Sequence, residues 1–387
     1  MHEMKRMITV IMIVQFLIYF GFSMIIPVIP EIVTELNAST THMGWLLAIY
    51  SLASFLSAPY FGRLSDKFGR RKILLYGLFA FAFSFFIFGI FIDNLFILYI
   101  SRILGGAASG ALYTATTSMV ADITTRETRT KYMGLVGMSI GMGFIFGPGI
   151  GGLLAEVSLS LAYFMTTFVI LATLIFSIFK IKETYQPTTI VRKNITLPTE
   201  YFLQPVGILL VCTFLIMLIN SGMESTFQLL GIERINITPA EMGVLFFIGG
   251  IFNAIVQGGV IRRLKDGQEM PFMLIGQAFT LIAFIMLPFM NGLIYAGFCI
   301  VFLMVGNALV RTLITSQITK EAEAHEMGRM TATTYSMDSL GRIIGPISFN
   351  LLFIITPGVP FWFGAGLTIF ATFFIFQYYR KRKRVAL

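Results

Sequence analysis

Long apolar segments separated by short polar ones run from one end of this 387-residue chain to the other. Twelve of these segments reach the roughly 20 residues that an α-helix needs to cross a bilayer. We therefore predict an all-α integral membrane fold with twelve transmembrane helices, numbered here as spans 1 to 12. The predicted spans are 7–29, 43–61, 73–92, 95–120, 133–155, 159–179, 204–229, 240–261, 272–291, 293–317, 330–355 and 359–379.

The composition supports a chain that lies almost wholly in the membrane. Hydrophobic residues make up 56% of it and charged residues only 12%, whereas soluble domains carry about 25% charged residues. The polar segments are too short for a separate soluble domain or an ATPase cassette. No cluster of His or Asp suggests catalysis, and Cys212 and Cys299 lie inside spans without a metal or redox spacing. We predict no enzyme activity, no metal and no cofactor.

The net charge of +9 follows the membrane topology rather than a nucleic-acid surface. Twenty-four of the 28 lysines and arginines lie in the tails and loops that alternation places on one side, and Arg234 alone lies in an opposite loop. This bias matches the positive-inside rule, so both termini are predicted to be cytoplasmic. The basic run 380–384 is then an anchor that faces anionic lipid, and nucleic acid is not a predicted partner.

The polar segment 180–203 divides the twelve spans into two sets of six. It contains Pro187 and Pro198 and few apolar residues, as is typical of a linker. We predict an N-terminal six-helix bundle at 1–179, a cytoplasmic linker at 180–203, and a C-terminal six-helix bundle with a basic cytoplasmic tail at 204–387.

The two halves also share a short pattern. G-x-I-x-G-P begins at Gly143 in span 5 and again at Gly341 in span 11, an offset of 198 residues. Duplicated six-span bundles are typical of transporters that rock around a central site. The repeat therefore favours a transporter over a channel or a membrane enzyme.

The loop between spans 2 and 3, residues 62–72, has the sequence G-R-L-S-D-K-F-G-R-R-K. Gly62 and Gly69 predict a tight turn close to a helix end. Asp66 is predicted either at the N-terminus of the next helix or against arginines such as Arg70. A plain charged anchor is the alternative interpretation. The pattern resembles the loop-2/3 signature of the major facilitator superfamily, which implies a gating role for these four residues.

Span 5 contains the run G-M-G-F-I-F-G-P-G-I-G-G at 141–152. Small residues let helix backbones approach closely in a membrane, and proline bends a helix, so the run predicts a tightly packed, moving helix. It resembles the superfamily's antiporter motif, G-x-x-x-G-P-x-x-G-G, which marks exporters that exchange substrate for protons. The resemblance implies gating roles for Gly143, Gly147 and Pro148.

Span 4 contains an arginine, Arg102, within an apolar segment. An arginine in hydrocarbon costs about 2.5–3.5 kcal/mol on insertion scales, so Arg102 is expected to face the bundle interior or a cavity. The segment resembles the span-4 arginine motif of the superfamily, which implies support of proton coupling. A structural bond to helix carbonyls is the alternative.

Within the superfamily, the chain most resembles the twelve-span drug:proton antiporters, and among them the Gram-positive quinolone and multidrug efflux pumps. The segment S-G-M-E at 221–224 resembles a stretch whose glutamate is a protonation site in those pumps. Glu224 is therefore predicted to couple protons, since a carboxyl group removed from water prefers to carry a proton. A structural hydrogen bond or snorkelling to the outer surface is the alternative. The second acidic site of such pumps is not evident in span 10, which has Asn307 and Arg311 instead.

Three further charged residues are candidates for coupling or gating. Asp338 and Arg342 are four residues apart in span 11 and so share a helix face, either as a structural pair or as a proton site or gate. Asp122, at the inner end of span 4, either pairs with arginines of 62–72 to lock one conformation or simply caps the loop.

The segment of the second half that corresponds to the loop 62–72, residues 259–266, keeps only the charge of the loop signature. Whether that half has a gate is left open.

The chain has 40 phenylalanines, 14 tyrosines and 22 methionines. Most must face lipid or other helices, but such side chains also repack around varied ligands. The predicted residues of a substrate cavity, chosen from their places in spans 1, 4, 5, 7 and 10, are Tyr19, Tyr113, Phe144, Phe227, Asn307 and Arg311.

Together these features predict a proton-coupled antiporter that exports amphipathic small molecules by alternating access, multi-pass in the bacterial cytoplasmic membrane. Its predicted partners are the small-molecule substrate, protons as the coupling ion and membrane lipid. The resemblance implies that it works as a monomer. The same fold also suits a dedicated exporter of one endogenous metabolite, sugar or metal-chelating small molecule, and a lipid flippase is a further alternative.

Overall fold

The structure is a computed structural model that describes residues 2–185, 200–264, 267–321 and 327–385. Regular structure in these ranges is helical throughout, without a strand. Twelve of the described helical segments are long and apolar enough to cross a membrane. The predicted all-α fold with twelve spans is therefore confirmed. The middle of the predicted linker, 186–199, lies outside the described residues.

The first of two compact units holds the described residues within Met1–Ser39, Ile49–Ile190 and Thr238–Phe247. In its interior α1 packs on α6 and α7, while α4 packs on α5 and α7. The first seven helices are α1 (His2–Met24), α2 (Ile29–Glu35), α3 (Thr41–Phe68), α4 (Arg70–Ile90), α5 (Leu95–Ile123), α6 (Arg126–Val157) and α7 (Leu159–Lys180).

The second unit holds the described residues within Thr40–Ala48, Val191–Ile237 and Ile248–Leu387. Its centre is α9, which packs against α12, α13 and α14 and is buried along most of its length. The remaining α-helices are α8 (Glu200–Leu203), α9 (Pro205–Ile235), α10 (Pro239–Ile255), α11 (Glu269–Met286), α12 (Leu293–Glu321), α13 (Met327–Ile355) and α14 (Val359–Val385). A π-helix at Val256–Val260 continues α10, and short 3-10 helices lie at Ile261–Arg263 and Leu287–Phe289.

Span 1 differs from its predicted form. The apolar pattern predicts one helix over 7–29, but α1 ends at Met24 and the short helix α2 begins at Ile29. Pro27 lies in the turn between them and lacks the N–H that a continuing helix would use, while Pro30 lies in the first turn of α2, where an N–H is not needed. The two prolines thus divide into two helices a segment that hydropathy alone predicts as one helix.

The repeat that the sequence indicates is also a repeat of contacts. In the first unit, the Ser23 hydroxyl donates a hydrogen bond of 2.9 Å to the carbonyl of Gly143. In the second unit, the Ser221 hydroxyl donates one of 3.1 Å to the carbonyl of Gly341. Both partners are shifted by the same 198 residues, so each unit joins its first span to its fifth in the same way.

Candidate functional site

The glycine run of α6 forms the interface with α1. A Cβ atom on Gly143 would lie 2.7 Å from the backbone nitrogen of Phe20, and one on Gly147 or Gly151 would overlap atoms of α1. These glycines recur every four residues and therefore share one helix face. The predicted tight packing is confirmed for this face, while the gating role of Gly143, Gly147 and Pro148 stays a prediction.

Each glycine–proline segment has a second close backbone contact inside its own unit. In the first unit, the carbonyl of Pro148 faces Gly243 at the start of α10. In the second unit, the carbonyl of Pro346 faces Gly44 at the start of α3. A Cβ atom at either glycine would overlap the carbonyl, so these approaches require a residue without a side chain.

Arg70 is the centre of a charged cluster at the α3–α4 turn. It is 3% exposed, and its guanidinium donates to Asp66, to the Ser65 hydroxyl at 3.1 Å and, through Nε, to Asp122 Oδ2 at 3.1 Å. The predicted pairings of Asp66 and Asp122 with an arginine are therefore confirmed. Two carboxylates around one buried guanidinium satisfy its charge and fix its planar group.

The turn itself depends on Gly69 and on Glu183, a residue that the sequence interpretation missed. Gly69 has φ of 99° and ψ of 152°, a region that residues with side chains avoid. The carboxylate of Glu183 accepts from the backbone N–H groups of Arg70 at 2.8 Å and Arg71 at 3.1 Å. It thereby caps the N-terminus of α4, where a negative charge is favoured. A Cβ atom on Gly69 would overlap this carboxylate.

Gly62 does not belong to a turn, contrary to the prediction. Helix α3 continues to Phe68 and α4 starts at Arg70, so the predicted loop 62–72 is almost entirely helical. Gly62 lies inside α3 with open space where a side chain would be. The sequence could not separate the two glycines because both lie near the same charged residues.

The second unit also has an ion pair at the turn that corresponds to the α3–α4 turn. Lys320 donates to Glu269 Oε1 at 2.8 Å, and the backbone N–H of Gly267 donates to Glu269 Oε2 at 2.7 Å. Gly267 has φ of 91°. Gly267, Glu269 and Lys320 stand 198 residues after Gly69, Arg71 and Asp122. An ion pair therefore recurs at this turn, but its acid stands at the position of Arg71, and Gln268 stands at the position of Arg70.

Arg102 lies in the interior of the first unit, as predicted from the free-energy cost of placing an arginine in hydrocarbon. It is 3% exposed, its guanidinium carbon lies 4.6 Å from the centre of the Phe88 ring, and one terminal nitrogen approaches the Tyr163 hydroxyl at 3.4 Å. Its Nε has no hydrogen-bond partner among the described residues. The arginine is thus held mainly by aromatic rings, and its role in coupling stays a prediction.

Glu224 lies on α9 in the second unit and is half-buried. No basic nitrogen of the described residues lies within 4 Å of its carboxylate. Asn220 and Gln228 stand four residues before and after it, so three polar side chains share one face of an apolar helix. Gln228 is 1% exposed, and neither of its amide atoms has a partner in the described part of the chain.

Asp338 does not form the predicted pair with Arg342. Its carboxylate accepts from Arg311 on α12 at 2.8 Å, while Arg342 is exposed. Four-residue spacing makes such a pair possible on a helix but does not select it over an arginine of a neighbouring helix. The pairing also gives Arg311, predicted as a cavity residue, a partner that holds its guanidinium.

The predicted cavity aromatics separate into two environments. In the first unit, the rings of Tyr19 and Phe144 lie 5.5 Å apart, and Phe22 contacts both Phe144, at 6.2 Å, and Tyr50, at 5.2 Å. Tyr113 of the same unit is half-buried. In the second unit Phe227 is 0% exposed, so its prediction as a cavity residue is wrong for this conformation.

Asn307, which is predicted to line a substrate cavity, lines a small pocket between α9, α11 and α12. The pocket also includes Gln277, which the sequence interpretation missed because a single glutamine in a span carries no motif. Among the described residues, no three His, Cys, Asp or Glu side chains gather in a way that could hold a metal ion.

The chain matches a family model described as Major Facilitator Superfamily over residues 11–346. It is 29% identical over 388 residues to Multidrug resistance protein 2 of Bacillus subtilis (strain 168), a match that covers 95% of this chain and 96% of the relative. It is 27% identical over 373 residues to Quinolone resistance protein NorA of Staphylococcus aureus, covering 95% of each chain.

Among solved structures, the nucleoside transporter NupG superposes with a TM-score of 0.79. The match covers 96% of this chain and 99% of that one at 11% sequence identity. At that identity the likeness shows the fold alone.

Proposed function

The chain belongs to the Major Facilitator Superfamily, and on that premise we propose that it exports amphipathic small molecules in exchange for protons. Membership makes it a multi-pass membrane transporter rather than an enzyme, as the sequence predicts. The names of its relatives refer to multidrug and quinolone resistance. Drugs of several classes are accordingly the proposed substrates.

The observation that carries the proposal is the setting of Glu224. Its carboxyl group is half-buried on an apolar helix, without a basic nitrogen within 4 Å in the described part of the chain. A carboxyl group can hold a proton or, as the carboxylate, bind a cation. With no basic nitrogen of the described residues so close to it, Glu224 is suited to alternate between a bound proton and a bound cationic substrate.

The proposed cycle uses Glu224 as the exchange site. A proton from outside binds the carboxylate and weakens its hold on the substrate, which leaves outward. The proton then leaves inward, and the carboxylate is free for the next substrate. Duplicated bundles that rock about a midplane site give each side access in turn.

The contribution of the membrane potential to this exchange depends on the charge of the substrate. At about 150 mV one charge moved inward is worth roughly 3.5 kcal/mol, which corresponds to a gradient of a few hundred-fold. A neutral compound gains all of this energy. A monovalent cation that leaves as a proton enters moves no net charge, so only the pH gradient drives its export.

We propose the bacterial cytoplasmic membrane as the location, with both termini inside and the monomer as the working form. Glu3 near the N-terminus accepts from Lys182, just after α7, at 2.8 Å. This contact supports a location of the N-terminal tail and the start of the linker on the same side of the membrane. The positive-inside bias favours the cytoplasmic side for both.

Ethidium efflux from bacterial cells tests the proposal. We expect cells that express the chain to extrude ethidium, a protonophore to stop the extrusion, and Glu224→Gln to reduce its rate at least tenfold at equal membrane abundance. Glu233→Gln is the matched control, since Glu233 is exposed at the end of the same helix, and it should keep the wild-type rate. Extrusion that continues in Glu224→Gln, or in the presence of the protonophore, would contradict proton exchange at this residue.

A dedicated exporter of one polar metabolite is the second candidate. It is favoured by the amide groups of the second unit, because Gln228 and Gln277 add to Asn220 and Asn307 as hydrogen-bonding groups in apolar helices. Wild-type cells that extrude none of a dozen chemically unlike drugs, ethidium included, would support this candidate over the drug exporter.

A further inference from the structure

A small pocket in the second unit has a polar floor in an otherwise apolar wall. It lies between α9, α11 and α12, and its polar residues are Asn220, Gln277, Thr280 and Asn307. Its volume is about 20 Å³, while a buried water needs roughly 10–15 Å³ by the same measure. The pocket therefore has room for one water molecule or for one group of that size.

Two buried amide atoms of this pocket lack hydrogen-bond partners in the described part of the chain. They are Nε2 of Gln277, whose side chain is 4% exposed, and Oδ1 of Asn307. One is a donor and the other an acceptor. Buried polar atoms are almost always satisfied, and leaving one without a partner is costly. Each is thus an unused hydrogen-bonding group on a residue that lines the pocket, one a donor and the other an acceptor.

The chemistry of the wall restricts any ligand of the pocket to a neutral group. No charged side chain lines the pocket, and its remaining residues, such as Phe284 and Leu303, are apolar. The Thr280 hydroxyl already donates to the carbonyl of Gly276 at 3.0 Å, so it is left only as an acceptor. An amide donor on the floor disfavours a bare cation, and the absence of a basic group disfavours an anion.

The pocket is next to the proposed exchange site. Asn220 precedes Glu224 by one helical turn, and Met223, which also lines the pocket, directly precedes it. Asn220, Thr280 and Asn307 each keep some exposed surface, whereas Gln277 is closed off. Three of the four polar residues that line the pocket are therefore partly exposed, and the fourth is buried.

We propose that this pocket binds a hydroxyl group of the transported compound, which accepts a hydrogen bond from Gln277 and donates one to Asn307. Water takes the same place when the compound has no such group. The inference rests on the proposed drug export and adds to it a preference for hydroxylated over otherwise identical compounds, with Gln277 as the residue that determines it.

A matched pair of cations tests the preference. The probes are tetraphenylphosphonium and (4-hydroxyphenyl)triphenylphosphonium, which differ by one hydroxyl, and their affinities are measured on the purified full-length protein. Hydrogen bonds of ordinary net strength predict about five- to tenfold tighter binding of the hydroxylated cation by the wild type. Gln277→Met, which keeps the length of the side chain but removes the amide, should bring the two affinities within twofold of each other. Asn307→Leu should do the same.

Two controls make the test specific. Gln228→Met removes another buried, unpartnered amide of the same unit outside the pocket, and it should keep the wild-type ratio of affinities. Binding of tetraphenylphosphonium by Gln277→Met shows that this variant is folded. The cation with a methoxy group in place of the hydroxyl cannot donate and is larger than the space for one water-sized group, so it should bind no more tightly than tetraphenylphosphonium.

The possible outcomes distinguish a failure of the hydroxyl-binding pocket from a failure of the proposed drug export. Equal affinities of both cations for the wild type, with both exported, would leave drug export standing and show that the pocket holds only water. An equal loss of preference in Gln228→Met would also overturn the assignment to Gln277. A wild-type protein that neither binds nor exports either cation would contradict both the proposed drug export and the hydroxyl site that rests on it.

Discussion

Single residues in this protein have roles that their type and neighbourhood in the sequence do not distinguish. Gly62 and Gly69 occur in one charged motif and are predicted to act alike, yet only Gly69 adopts a positive φ. The difference depends on where α3 ends and on the carboxylate of Glu183, which is more than 100 residues away in sequence. A pattern of residue types contains neither piece of information.

The two glycines therefore predict opposite responses to alanine. Gly69→Ala should destabilise the protein by about 1–3 kcal/mol because the backbone conformation excludes a side chain, and the new Cβ atom would also displace Glu183. Gly62→Ala should be neutral or stabilise by up to about 1 kcal/mol, since it replaces glycine inside a helix. Thermal unfolding of both variants in the same detergent measures the difference, and equal effects would contradict the observed turn.

Asp338 shows the same limit for charged pairs. Its spacing from Arg342 correctly places both on one helix face, but its partner is Arg311 of another helix. Local spacing defines what a side chain can reach along its own helix. Packing of α12 on α13 decides which arginine it meets.

Helices and their connections repeat between the two units more closely than the sequence does. Hydropathy alone predicts the twelve spans, because a bilayer demands long apolar segments. The serine-to-carbonyl bonds from Ser23 and Ser221 then recur at equivalent positions. The ion pair of Glu269 and Lys320 was not predictable from the first half, because Glu269 stands at the position of Arg71, whereas the arginine that pairs with Asp122 is Arg70.

If the ion pair of Glu269 and Lys320 stabilises the second unit, exchanging its charges should be better tolerated than reversing one. Lys320→Glu places two carboxylates together, and we expect a lower unfolding temperature and slower transport. Adding Glu269→Lys should recover part of the loss, with a coupling energy of about 1 kcal/mol. Recovery should be incomplete because Lys at 269 cannot accept the N–H of Gly267.

Lys182 and Glu3 provide the control for this exchange. Their ion pair has the same length of 2.8 Å, but both side chains are largely exposed, at 72% and 79%, whereas Glu269 is 10% exposed. Exposed pairs contribute little, so the same double exchange should show no measurable coupling. Equal coupling in the two pairs would indicate that burial does not determine their contribution.

At the scale of the whole molecule, the class of protein follows from the sequence, whereas the interior of each unit follows only from the structure. Alternating loops with a strong basic bias, a repeated glycine–proline segment and the loop signature are sufficient to predict the superfamily. The hydroxyl-sized pocket needs three helices from one unit to bring Asn220, Gln277 and Asn307 together. Their separation along the chain gives no periodic pattern from which that meeting could be predicted.

The central claim is that substrate and proton exchange at Glu224. It is tested most directly in vesicles that contain the purified protein and an internal pH dye, with ethidium or tetraphenylphosphonium added outside. We predict a substrate-dependent proton flux in the wild type and none in Glu224→Gln, which should also bind the substrate more weakly because glutamine resembles the protonated acid. Proton flux of equal size in both proteins, or substrate transport without any proton flux in the wild type, would contradict the account.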